Sequence, residues 1–187
     1  MKQNRISALI PMVVTLFAIA LVCSALLGVV NAVTEERIAE NRAAAQQAAM
    51  EAVLPGAASF RDVTDRLDAD FLAENPVTGI YEAAGRGYVV TAAPKGFGGE
   101  IEMTVGVDTD GAITGVVITD LSETPGLGAR ATEPAFLAQF AGKSGAFSVV
   151  KGAAGDNQIS AITGATVTSR AVTAGALAAV KAVQAAA

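Results

Sequence analysis

The residues best placed to do chemistry lie near the C-terminus, in Ser160-Ala-Ile-Thr-Gly-Ala-Thr166-Val-Thr-Ser-Arg170. Five hydroxyl side chains, Ser160, Thr163, Thr166, Thr168 and Ser169, fall within ten positions, with Gly164 and Ala165 as small neighbours. The Ala/Val/Leu-rich segment Val172 to Ala187 follows, with no Gly or Pro after Gly175. This pattern predicts a hydroxyl-rich loop feeding the start of a helix, with Thr168 or Ser169 as the N-cap. Unpaired N–H groups and the positive end of the helix dipole make such a start a natural phosphate site. Gly164 would let a ligand approach the backbone closely. A plain capped helix after a polar loop has the same composition, because Ser and Thr are common caps.

A second candidate is Ser122-Glu-Thr-Pro-Gly-Leu-Gly128. Its Pro and two Gly make a constrained loop whose backbone can come close to a ligand, and it offers Glu123, Thr124, Gly126, Leu127 and Gly128 to a site. A tight surface turn reads the same way.

Composition narrows what these residues can do. The chain of 187 residues contains no His and one Cys. That excludes His-based acid/base catalysis, His metal ligands, an intramolecular disulfide, a Cys-ligated zinc site and an iron–sulfur cluster. A net charge of −5 without a basic patch argues against nucleic-acid binding. Redox chemistry here needs a cofactor that asks little of His or Cys, and a flavin meets that condition. No residue is assigned a catalytic role and no metal ligand set is present.

The positioning elements follow from the rest of the chain. Lys2 and Arg5 precede an uncharged run from Ile6 to Thr34 of roughly 25 to 29 residues, enough to cross a bilayer core. Basic residues before it and Glu35-Glu36 after it place the N-terminus in the cytoplasm and the remainder outside. The run is too long for the core of a cleaved signal peptide, and Val22 before Cys23 is too bulky for a lipoprotein site. Residues 1–34 are therefore expected to form a cytoplasmic N-terminus and membrane anchor, and residues 35–79 a helical stalk and connector. From Thr34 to Val53 good helix formers dominate, and Pro55-Gly56 stops the helix.

Residues 80–187 are expected to form an α+β domain. Gly87 to Ala92 is β-rich, and Pro94 to Gly99 is a turn. Ile101, Met103, Val105 and Val107 alternate with smaller or polar residues as in a half-buried strand. Asp108-Thr-Asp-Gly111 is a hairpin connection to a return strand over Ile113 to Thr119. Thr132 to Phe140 reads as a short helix capped by Thr132 with Pro134 in its first turn, and Phe147 to Val150 as a short strand. In the last helix Val172, Ala176, Val180 and Val183 share one face, which should pack on the sheet.

Thr163-Gly-Ala-Thr166 resembles the S/T-G-A-T signature of the FMN-binding domain family, and Glu123-Thr-Pro-Gly-Leu-Gly128 resembles that family's E-T-P-G-L-G segment. The resemblance covers roughly Tyr81 to Ala187, including the order of a Gly-Phe-Gly-Gly turn, strand, Asp-x-Asp-Gly turn and strand. It implies that Thr166 carries FMN through a phosphoester bond made by a flavin transferase, with Glu123 to Gly128 lying against the flavin ring. Ser160, Thr163, Gly164, Ala165, Thr168 and Ser169 would complete the cofactor-binding set. Two positions depart from the family pattern: Ser160 stands where an Asp is frequent, and Leu121 where a His is common.

With its single anchor and stalk, the whole chain resembles the G-subunit family of Rnf complexes, which move electrons between ferredoxin and NAD and couple this to ion transport. The C subunit of the sodium-translocating NADH:quinone reductase is a relative sharing anchor and motif. The resemblance implies an electron relay in the cytoplasmic membrane, partnered by other Rnf subunits. A flavin-free, membrane-tethered binding or assembly module is the contrasting reading, and a visible absorbance spectrum separates the two.

Overall fold

A computed structural model of the chain describes residues 3–57 and 59–186. The chain divides into two compact units, one ending at Ala44 and the other starting at Ala45.

Most of the first unit is helix α1 (Gln3–Val53), which runs unbroken into the second. From Ile10 to Val33 its large apolar side chains point outward all round, with Leu16, Phe17 and Leu27 about 70% exposed. An apolar stripe would mark a helix packed along one side, whereas apolar residues around the full circumference are the pattern of a helix buried on all sides or of a membrane span. By length and composition α1 can cross a membrane. Beyond Thr34 the helix surface becomes charged, with Arg37 and Glu40 paired at 3.3 Å, both largely exposed.

The second unit is built on a five-stranded antiparallel meander. Its strands, in spatial as well as chain order, are β1 (Arg61–Asp62), β2 (Val77–Ala83), β3 (Gly87–Ala92), β4 (Ile101–Val107) and β5 (Ile113–Leu121). Met103 lies opposite Ile118 and Val105 opposite Val116, so the alternation of β4 feeds one face. A short helix α2 (Ala69–Glu74) lies between β1 and β2. The helix α3 (Pro134–Leu137) is flanked by 3-10 turns, and β6 (Ser148–Val150) pairs in parallel with β7 (Gln158–Ser160). The chain ends in α4 (Thr166–Ala186).

Alternation along the strands separates two apolar clusters. Val90, Met103, Val105 and Val107 join α4 in the main core, while neighbouring Val89 packs with Met50, Val53 and Leu54 at the end of α1. The sheet is thus covered on one face by α4 and on the other by the last turns of α1. In α4 the expected face is buried, with Val172 and Ala176 fully enclosed and Val180 and Val183 nearly so. Each fully buried Val or Ile of this core contributes roughly 1.5–3 kcal/mol. Phe136, Phe140 and Phe147 meet edge to face, with centroids 5.5 and 6.2 Å apart, and tie α3 to the segment before β6.

The structure differs from the sequence expectations at three places. The sheet starts before Ile80, because Val77 to Ala83 is one strand and β1 pairs with it, so the compact unit takes in residues 45–79 as well. Thr132 does not cap α3: its hydroxyl donates to the Ala129 carbonyl at 3.0 Å, and Glu133 in an extended conformation precedes Pro134. Finally, α4 starts at Thr166, two to three residues earlier than the cap expected at Thr168 or Ser169.

Candidate functional site

The early start of α4 follows from local bonding. Gly164 adopts a φ of 83°, which turns the chain, and the Ala165 N–H then donates to the Ile162 carbonyl at 3.0 Å. The Ser169 N–H donates to the Ala165 carbonyl at 3.0 Å, the first bond of the helix. Ala165 therefore sits where a capping side chain would be, and Ala supplies no acceptor. Among the described residues, the N–H groups of Thr166, Val167 and Thr168 have no backbone carbonyl partner outside the helix. These are the donors that an anion at a helix start takes up.

The hydroxyls sort into two groups. Ser169 is fully buried, accepts from the Ile162 N–H at 3.0 Å and donates to the Ala165 carbonyl at 2.9 Å, so it staples the loop to the helix. Thr168 donates to Glu123 Oε2 at 3.1 Å. Ser160 donates to the Gly152 carbonyl, while its own N–H donates to Gln139 Oε1 at 2.7 Å. Thr163 and Thr166 are left without a side-chain hydrogen bond among the described residues; Thr163 is exposed and Thr166 half-buried.

The loop after β5 comes to the same place. Glu123 is 9% exposed, and its Oε1 accepts from the N–H groups of Phe97 at 2.7 Å and Gly98 at 3.3 Å. The turn between β3 and β4, the loop after β5 and the start of α4 thereby enclose a cavity of about 600 Å³, within the usual range for small-ligand sites. Of the residues singled out in the sequence, Glu123, Thr124, Leu127 and Gly128 line it from one side, and Thr163 through Thr166 with Thr168 from the other.

Ser160, Ser169 and Gly126 do not line the cavity. The first two are spent on internal bonds, and Gly126 makes an exposed turn with a φ of 76°. Sequence reasoning missed Phe97, Lys151 and Val167 in the cavity wall, and Gln139 as the partner of the Ser160 N–H. Phe97 lay within the Gly-Phe-Gly-Gly turn already noted, but an isolated Lys carries no pattern.

The cavity wall combines backbone donors, one cation and apolar side chains. Unpaired N–H groups and the Thr166 hydroxyl lie at the helix start, and Lys151 is the one cationic side chain in the wall. Outside α1, the exposed large hydrophobic residues among those described are Phe97 at 73%, Leu127 at 46% and Val167 at 51%, and all three line this cavity. A group that is anionic at one end and a flat apolar ring at the other, as FMN is, matches this donor set.

The model of the FMN-binding domain family matches residues 96–181, which take in β4, β5, both cavity loops and most of α4. A second model, the RnfG N-terminal region, matches residues 3–53. Over 175 residues the chain is 38% identical to the G subunit of the Na(+)-translocating ferredoxin:NAD(+) oxidoreductase complex of Acetobacterium woodii, covering 86% of this chain and 84% of that one. It is 37% identical over 167 residues to the G subunit of the ion-translocating oxidoreductase complex of Methanosarcina acetivorans, covering 86% of each. A crystal structure of the C subunit of Na(+)-translocating NADH-quinone reductase from Parabacteroides distasonis shares the fold, with a TM-score of 0.50 at 24% identity over 68% of this chain and 77% of that one. The chain belongs to the G-subunit family of ion-translocating oxidoreductase complexes.

Proposed function

We propose that this chain is the membrane-anchored electron relay of an ion-translocating ferredoxin:NAD oxidoreductase, carrying FMN as a phosphoester on Thr166. The observation that carries this reading is the state of the Thr166 hydroxyl. Thr166 is the first helical residue of α4, it lies in the cavity wall, and its hydroxyl makes no hydrogen bond among the described residues. Those of Ser160 and Ser169 are bonded to backbone groups and that of Thr168 to Glu123. Thr163, equally unbonded, stands in the loop before the helix.

In this reading the N–H groups of Thr166 to Thr168 and the helix dipole hold the phosphate. Phe97, Leu127 and Val167 would offer apolar contact to the flat flavin ring. FMN supplies the one- and two-electron chemistry, and the protein supplies placement and electrostatics. No dinucleotide fingerprint occurs in the sequence, so NAD belongs to another subunit. The apolar part of α1 is the anchor, with the N-terminus in the cytoplasm and the flavin domain on the other side. A flavin transferase and the other subunits of the complex are the partners. A covalent bond keeps the cofactor in a compartment where free FMN is scarce.

Peptide mass spectrometry tests this on protein purified from its native membrane or co-expressed with a flavin transferase. The peptide containing Thr166 is expected to be heavier by FMN less one water. An unmodified peptide from the native membrane would leave the flavin-free tethered module as the better account.

A further inference from the structure

We infer that Glu123 is a positioning residue: its carboxylate brackets the first turn of α4 to the turn between β3 and β4, and through Thr168 it sets how the Thr166 hydroxyl is presented. This rests on the proposal that Thr166 is the attachment point, and it assigns the device that makes that threonine available.

Three donors from two distant segments converge on one carboxylate. Oε1 takes the Phe97 N–H at 2.7 Å and the Gly98 N–H at 3.3 Å, and Oε2 takes the Thr168 hydroxyl at 3.1 Å. Glu123 is 9% exposed and Thr168 1%, so neither oxygen is simply turned to solvent. Among the described residues no Lys or Arg lies within ion-pair distance of Glu123. A buried carboxylate is costly unless its lone pairs are matched by donors, and here neutral donors match them.

The backbone is also shaped around this group. A Cβ at Gly96 would lie 2.1 Å from Oε1, and one at Gly128 would lie 2.5 Å from Oε2. Two glycines thus clear the space that the carboxylate fills. Thr168 is two residues beyond Thr166 on the same turn of α4, so fixing its hydroxyl fixes the rotation of that turn about the helix axis.

Placement and charge make different demands, and substitutions separate them. Gln at 123 keeps the bracket, since its carbonyl can accept from the two amides while its NH2 donates to the Thr168 oxygen. Leu at 123 fills the same space with no acceptor. Val at 168 removes the donor, and Ser restores it.

The test co-expresses the full-length chain and each variant with a flavin transferase. The fraction carrying FMN is read by intact mass soon after transferase induction, and folding is followed by the thermal midpoint of the unloaded chain. E123L and T168V are expected to load about tenfold more slowly than the original chain, the loss that follows from leaving a buried polar partner unmatched. E123Q and T168S are expected to retain at least about half its rate, because they rebuild the same contacts. If E123L does not fold, the comparison of T168V with T168S decides. Loading of T168V at the original rate would overturn the inference, as would E123Q loading as slowly as E123L, which would mean that charge matters and not placement. If the original chain takes no FMN on Thr166, it is the attachment proposal that fails.

Discussion

The free hydroxyl of Thr166 is a property of its neighbours as much as of the residue. Ser169 and Thr168 are spent on the Ile162 amide and on Glu123, which leaves Thr166 at the cavity wall with nothing to hold it. Thr166→Val is therefore expected to abolish covalent flavin while shifting stability by no more than about 0.5 kcal/mol, as for other surface substitutions that break no buried contact. In-gel flavin fluorescence and thermal unfolding check both parts; a T166V chain that still fluoresces after denaturation sinks the assignment. At this scale the sequence was informative about type and weak about role. The residues alone left Thr163 to Thr166 open between a phosphate site and a plain capped helix, and the Glu123 loop open to a tight surface turn. The resemblance to the FMN-binding domain family singled both out. The buried duties of Thr168 and Ser169 could not be read from the sequence, because Glu123 lies 45 residues from Thr168. The Ile162 amide reaches Ser169 only after Gly164 has turned the chain.

Among the elements, α1 and the sheet meet through backbone as well as side chains. The last carbonyl of α1, that of Val53, accepts from the Thr114 hydroxyl, and a Cβ at Gly106 would lie 2.4 Å from the same oxygen. Thr114 thus does the work of a C-cap from a neighbouring strand, on one of the carbonyls that a helix end leaves unpaired. Thr114→Val is expected to speed amide exchange in the last turn of α1 by about fivefold, the equivalent of one lost hydrogen bond. Unchanged exchange at Met50 to Leu54 would show that packing alone holds this end. The strands β4 and β5 were legible because seven and nine residues are enough to display a period of two. By contrast β1 and β7 have two or three residues each, too few for any period, and β6 was read from its composition alone.

For the whole molecule, acid is expected to act first at the edge of the sheet. The Arg61 guanidinium, joined by Arg66, holds the Glu82 carboxyl below its ordinary 4.5, and the Thr64 hydroxyl and amide hold Asp62 below 3.8. Both groups have depressed values in the folded chain, so the stability they add is present above the ordinary values and lost as pH falls through the lowered ones. Thermal midpoints should be flat from pH 7 to about 5 and drop below about 4. Arg61→Ala should shrink that drop by lowering the midpoint slightly at pH 7 and leaving it unchanged once Glu82 is protonated, a small effect because the pair is exposed. An unaltered acid limb in R61A would place the sensitivity elsewhere. A different consequence follows from the three apolar side chains at the cavity rim. Until a cofactor covers them, Phe97, Leu127 and Val167 give the newly folded domain a sticky patch of the kind that chaperones and proteases survey. Unloaded chains are then expected to bind an environment-sensitive dye such as anilinonaphthalene sulfonate, and chains loaded with FMN to bind less of it.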